Sequence, residues 1–96
     1  MNYINRLPLD EKIDGLDVLQ QMQYGNFDSI YTKSWEGNIK EAYFYKHNRI
    51  FYFIADGENI YLLHACRKQK NKTEKRDADI VRKRAKELQA FLKSGK

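Results

Sequence analysis

The sequence predicts a single α+β domain spanning residues 1–96. Three observations carry that prediction. Apolar residues recur at helical spacing near both ends of the chain. Between them lie runs of aromatic and β-branched residues, the composition of strands. Gly, Asn and Asp cluster between those runs, as turns require. The expected architecture is an N-terminal helix or helical pair, an antiparallel curved sheet of three strands with room for a fourth, and a basic C-terminal helix.

Residues 8–24 read as the first long helix. Pro8 suits a first-turn position, and Asp10 and Glu11 suit the positive end of the helix dipole. Ile13, Leu16, Leu19 and Met22 recur at near-helical spacing, and Gly25 is a natural stop. Gly15 inside the helix costs about 1 kcal/mol relative to Ala. Residues 26–38 read as irregular, with Trp35 as an apolar anchor and Gly37-Asn38 as a turn.

Three strands follow. Ile39–Lys46 is rich in aromatics, and His47-Asn48 offers a two-residue turn without the favoured Gly. Arg49–Ala55 is apolar on both alternating faces, the pattern of a central strand covered on both sides. Asp56-Gly57-Glu58-Asn59 is a strong hairpin signal, and Ile60–Cys66 is the third strand. Residues 74–93 form the last helix. Ala78, Val81, Ala85, Leu88 and Leu92 make its apolar stripe, and Thr73 is a fair N-cap. Arg82, Lys83, Arg84 and Lys86 fall largely off the stripe.

Charge is distributed unevenly. Residues 1–66 hold six Lys/Arg against nine Asp/Glu, whereas residues 67–96 hold twelve against four. Such asymmetry points to a polyanionic partner. One cysteine excludes an internal disulfide framework and suits a reducing compartment, so the cytoplasm is the expected location. Cys66 itself reads as a small buried hydrophobe. One Cys and two His give no zinc set, and no metal or other cofactor is expected. No apolar stretch approaches the roughly 20 residues of a membrane span, and no signal peptide is visible, so no membrane partner is expected.

The chemistry concentrates where the third strand ends. Ile60-Tyr61-Leu62-Leu63-His64-Ala65-Cys66 passes directly into Arg67-Lys68-Gln69-Lys70-Asn71-Lys72-Thr73. RNA cleavage without a metal needs a base for the 2′-hydroxyl, cations for the phosphorane and an acid for the leaving oxygen. His64 suits acid or base work near neutrality. Arg67, Lys68, Lys70 and Lys72 offer charge, and Arg49 could reach the same sheet surface. Tyr43, Tyr45, Tyr52 and Tyr61 could stack on bases or move protons. Strict alternation puts His64 on a face with Leu62 and Cys66, and Tyr61, Leu63 and Arg67 on the other. His47 is expected to be exposed and inert. Each of these residues also has an ordinary structural role to offer. From the residues alone the reading stops at a small basic domain that binds RNA or DNA.

The order and spacing of these segments resemble a specific family. Gly37-Asn38-Ile39-Lys40-Glu41-Ala42-Tyr43, Asn48-Arg49-Ile50-Phe51-Tyr52-Phe53, Leu63-His64-Ala65-Cys66-Arg67-Lys68 and Lys72-Thr73 with the following Ala- and Arg-rich helix are similar to the RelE/HigB superfamily of toxins. The phage-derived Gp49-like branch is the nearest pattern. The resemblance covers about residues 1–90. It implies a fold like microbial ribonucleases and a metal-independent mRNA endoribonuclease acting on the ribosome. It also implies a type II toxin–antitoxin system with a helix-turn-helix antitoxin as partner. Carried over residue by residue, Arg49, His64 and Lys68 are the expected catalytic positions. Arg67, Lys70 and Lys72 would help hold RNA, and Tyr43 and Tyr45, chosen by residue type rather than by the resemblance, complete the expected RNA-binding set.

Several positions depart from the pattern. The family Arg of Glu-Leu-Arg is Tyr43, the second Lys of Lys-Lys is Gln69, the Phe of Leu-His-x-Phe is Cys66, and Glu74 replaces a Pro. The usual first strand and most of the first helix have no counterpart, and Met1–Leu7 matches the tail of that helix. An open sheet edge would follow, which a homodimer could cover. Two alternatives therefore stand beside the nuclease: a non-catalytic relative that binds protein or nucleic acid, and a ParE-like gyrase inhibitor.

Overall fold

The computed structural model describes residues 2–45, 47–55, 59–67 and 73–94. A one-turn helix α1 (Asn2–Asn5) leads into α2 (Leu9–Gln23). A 3₁₀ turn (Phe27–Ser29) precedes four strands, β1 (Tyr31–Glu36), β2 (Ile39–Phe44), β3 (Asn48–Ala55) and β4 (Asn59–Arg67). Helix α3 (Lys75–Ser94) follows. The strands form one antiparallel meander in the order β1-β2-β3-β4. The α+β class and both long helices match the sequence reading.

Each face of the sheet has its own core. Under α1 and α2 lie Ile4, Val18, Met22, Phe44, Ile50 and Tyr52, among others. Under α3 lie Phe51, Phe53, Leu63, Cys66, Val81 and Ala85, among others. Strand β3 is buried along nearly its whole length, as its two apolar faces predict.

The fourth strand comes from the segment expected to be irregular. Residues 31–36 pair with β2, Tyr31 opposite Tyr43 and Lys33 opposite Glu41. As an edge strand β1 is mostly exposed, so its sequence lacks the apolar alternation that marks a strand. Trp35 is its anchor, packed edge-on against Phe51 at 5.1 Å between ring centres. Gly37, at φ +51°, makes the turn into β2.

The turn after β2 also differs. Asn48 is no turn residue; it opens β3 and is wholly buried. Its amide donates to Glu11 Oε1 at 2.8 Å and accepts from the Tyr3 hydroxyl at 2.5 Å. Tyr45, at φ +40°, bends the chain, and its N–H donates to Asp14 Oδ2 at 2.7 Å. His47 is exposed, as expected. The hairpin signal at residues 56–58 lies outside the described residues; the flanking Ala55 and Asn59 are paired.

Helix α2 buries a different stripe from the expected one. Glu11, Gly15, Val18 and Met22 face the sheet, while Ile13 and Leu16 are 57% and 45% exposed. The polar end of the sheet selects this face, because Glu11 must reach Asn48 and Arg67. Gly15 explains itself in the same way. A Cβ there would lie 2.9 Å from the Phe44 ring and 3.1 Å from Ile4, so only glycine lets the helix approach this closely.

Candidate active site on the sheet face under helix α3

Two cross-strand rows carry the polar groups on the face under α3. In one row Tyr43, Arg49 and Cys66 lie opposite each other on β2, β3 and β4. In the next row Phe51 stands between Glu41 and His64. Glu41 and His64 thus flank β3, one rung from Arg49. Diagonal neighbours of this kind are about 7–8 Å apart.

A β-bulge sets this arrangement. Tyr52 pairs with Leu62 but Phe51 pairs with His64, so Leu63 is an extra residue in β4. Parity changes across it. Tyr61, Leu63, His64 and Cys66 all serve the α3 face, and Leu62 and Arg67 serve the other. The expected grouping of His64 with Leu62, and of Leu63 with Arg67, is therefore corrected.

Arg49 is only 1% exposed. Its Nη1 donates to Glu41 Oε1 at 2.9 Å and to Thr73 Oγ1 at 2.7 Å, and its Nη2 to the Tyr43 hydroxyl at 3.3 Å. Tyr43 in turn donates to Glu41 Oε2. The Arg49 guanidinium also lies over the Tyr43 ring at 5.1 Å and the Phe51 ring at 5.7 Å. Its Nε is buried with no partner among the described residues, a donor the fold leaves unused. Burial, reinforced by the bond to Glu41, pushes the Tyr43 hydroxyl up to about 12, so it is a neutral donor at physiological pH.

Thr73 is not a side-chain cap in the expected sense. It lies just ahead of α3, and its hydroxyl accepts from Arg49 and from the Trp35 ring N–H at 3.2 Å. The loop end is thus bonded to both β1 and β3.

His64 is part-buried and held by three groups. Its Nε2 lies 2.8 Å from Asp77 Oδ1, in the first turn of α3. Arg84 approaches Nδ1 at 3.5 Å while donating to the Leu63 carbonyl at 2.8 Å. The ring stacks near Phe51 at 6.5 Å between centres. Asp77 supplies the acceptor, so a neutral ring in this network carries its proton on Nε2. Cys66 lies beside this pair: the His64, Cys66 and Asp77 donor atoms are all within 4.8 Å of one another. Burial, with Asp77 next in weight, pushes the Cys66 thiol up to about 12.

A cleft of about 350 Å³ opens over the Glu41–Arg49 end of this face, and His64, Cys66 and Asp77 are not among its lining residues. Lys33, Trp35, Glu41, Tyr43, Arg49, Thr73 and Arg82 contribute to its lining. Arg82 stacks over Trp35 at 5.4 Å and is paired with Glu36 at 2.6 Å. Beside it, Tyr43 packs edge-on against Tyr31 at 5.2 Å, and Tyr45 is exposed at the end of the same surface.

The sequence-predicted residues divide three ways. Arg49, His64, Tyr43 and Tyr45 share this side of the molecule or its rim. Arg67 does not: it lies on the α2 face, bonded to Glu11 at 2.7 Å. Lys68, Lys70 and Lys72 lie outside the described residues. Of the other tyrosines, Tyr52 is buried against Phe27 under α2 and cannot stack on a base, while Tyr61 packs on Phe53. Sequence reasoning missed Glu41, Asp77 and Thr73. Glu41 was within reach, since alternation along β2 places it on the same face as Tyr43. Asp77 carries no local signal beyond a favourable charge in the first turn of a helix.

The fold and face together define a small α+β domain with a carboxylate, a guanidinium and an imidazole grouped on one sheet surface. A family model described as phage derived protein Gp49-like (DUF891) matches residues 2–86, and the chain belongs to that family. The Gp49-like branch is the one to which the sequence resemblance pointed. No curated protein and no solved structure matches the chain. No described helix is long and apolar enough to cross a membrane.

Proposed function

We propose that the protein is the toxin of a type II toxin–antitoxin system, cleaving ribosome-bound mRNA without a metal. The observation that carries this reading is the convergence of Glu41, Arg49 and His64 on adjacent rungs of one sheet face. Cleavage starts when the 2′-oxygen attacks the neighbouring phosphorus and expels the 5′-oxygen, leaving a 2′,3′-cyclic phosphate. Glu41 takes the 2′-hydroxyl proton. Arg49, which contributes to the lining of the cleft, stabilises the charge on the phosphorane through its guanidinium. His64, as imidazolium oriented by Asp77, returns a proton to the leaving oxygen. Tyr31, Tyr43 and Tyr45 offer rings for base stacking. A small helix-turn-helix antitoxin neutralises the protein in this reading.

One observation favours a second reading. Arg49 and His64 each already have a buried carboxylate partner, Glu41 and Asp77. A binding protein that keeps the scaffold without the reaction would show the same pairs.

Expression with primer extension on translated message separates the two. Wild type is expected to cut, and Arg49→Ala, His64→Ala and Glu41→Gln to lose most cutting. Growth arrest without message cleavage would sink the nuclease reading and leave gyrase inhibition or partner binding. Undiminished cutting by all three variants would sink the site assignment alone.

A further inference from the structure

We propose that His64, Cys66 and Asp77 form a binding site for a zinc-class divalent cation that ties β4 to α3. The donor set is an imidazole, a thiol and a carboxylate, with all three ligand atoms within 4.8 Å of one another. Tetrahedral zinc with bonds near 2.0–2.3 Å holds its ligands about 3.5 Å apart. The widest pair must therefore close by about 1 Å, and the Nε2–Oδ1 contact, at 2.8 Å, must open slightly.

Three further features favour a cation here. Cys66 is 8% exposed, and its sulfur has no hydrogen-bond partner among the described residues. The charges acting on that sulfur are three carboxylates, Asp77, Glu41 and Glu74, against the single guanidinium of Arg49. His64 is partly open to solvent, which leaves a way in and a place for a water as fourth ligand. Thiolate and imidazole select zinc over magnesium or calcium, which prefer oxygen ligands. Coordination releases the thiol proton to solvent, and the imidazole proton moves from Nε2 to Nδ1. Arg84 faces Nδ1 and opposes that move; its side chain is exposed, and swinging away costs its bond to the Leu63 carbonyl.

The site is absent from any sequence pattern because one ligand comes from the helix, eleven residues beyond Cys66. Zinc bound here takes the Nε2 lone pair of His64, so the ring could no longer be the imidazolium that delivers a proton. That consequence rests on the cleavage reading; binding itself does not.

The test uses tag-free, metal-stripped full-length protein without RNA. Cobalt(II) is expected to bind one per chain and give a thiolate-to-metal charge-transfer band with strong tetrahedral visible absorption. Zinc is expected to displace it, and excess magnesium to leave it in place. Cys66→Ser should abolish the band, and both Cys66→Ser and Asp77→Asn should weaken zinc binding at least tenfold. Circular dichroism shows whether each variant is folded, and the wild-type spectrum stands without them. Cobalt bound with no thiolate band overturns the proposal, as does zinc affinity in folded variants within twofold of wild type. Binding without inhibition of message cleavage would leave the site intact and count against His64 as the acid.

Discussion

Arg49 and Glu41 meet at 2.9 Å with both side chains almost wholly out of solvent. The pair spans neighbouring strands of one sheet, and Tyr43 and Thr73 complete the shell around it. Two opposite charges held this way neutralise each other locally. They also depend on each other, because either alone would be an uncompensated buried charge.

Removing one partner should therefore cost far more than removing both. Glu41→Ala is expected to lower unfolding free energy by about 3–5 kcal/mol. The double variant Glu41→Leu/Arg49→Met should recover much of that loss, since a buried pair is weak as a net stabiliser. Urea unfolding of the singles and the double measures this. A double variant that loses the sum of both singles would contradict it.

Gly15→Ala pits a favourable helix substitution against a filled space. Alanine gains about 1 kcal/mol in helix propensity. Its methyl would lie 2.9 Å from a Phe44 ring atom inside the core. Overpacking of this kind costs about 1–3 kcal/mol, so net destabilisation is expected. Phe44→Leu should lessen the penalty of the added methyl, which a thermal double-mutant cycle reads directly.

Stability should decline in alkali in two stages. Cys66 and Tyr43 both ionise less readily folded than unfolded, moving from 9.0 and 10.0 respectively to about 12. Below pH 9 both are protonated in either state and contribute no pH dependence. Above it the unfolded chain sheds the Cys66 proton first and, past pH 10, the Tyr43 proton as well, so the folded state loses ground until about pH 12. Each group contributes a slope of up to about 1.4 kcal/mol per pH unit. The charges facing Cys66 are Asp77, Arg49, Glu41 and Glu74; Tyr43 faces Glu41, Arg49 and Tyr31. Urea midpoints in EDTA between pH 8 and 11 follow the decline, and Cys66→Ala should remove its first stage.

Arg67 and Arg49 should separate in RNA binding. Arg67 lies on the α2 face with Glu11, away from the cleft. Arg67→Ala is expected to leave the salt dependence of RNA affinity unchanged. If Arg67 instead neutralised a phosphate, its removal would lower the slope by about one ion. Filter binding across a salt series decides between them.

Where burial is two-sided, the sequence was legible. The apolar run of β3 and the 3-4 spacing of Ala78, Val81, Ala85, Leu88 and Leu92 gave correct elements, because packing alone dictates those patterns. Edge strand β1 was hidden, since an exposed strand needs no apolar alternation. The α2 stripe was misread because two of its buried positions, Glu11 and Gly15, serve a polar contact and a close approach. In the candidate site, Arg49 and His64 stood out by residue type. Their partners Glu41 and Asp77 did not, since an acid on a strand or in a first helical turn is ordinary until the fold sets it beside a cation.

The extra residue at Leu63 has a consequence for comparing this chain with its relatives. Tyr61 and His64 serve the same face although three positions separate them. A relative whose strand runs straight needs one residue fewer between the equivalent positions to present the same surface. Aligned without a gap, such a sequence would place its histidine against the wrong column and look as if it had lost the group. The gap belongs at Leu63, and a search profile that opens it there should recover divergent members that an unbroken strand would reject.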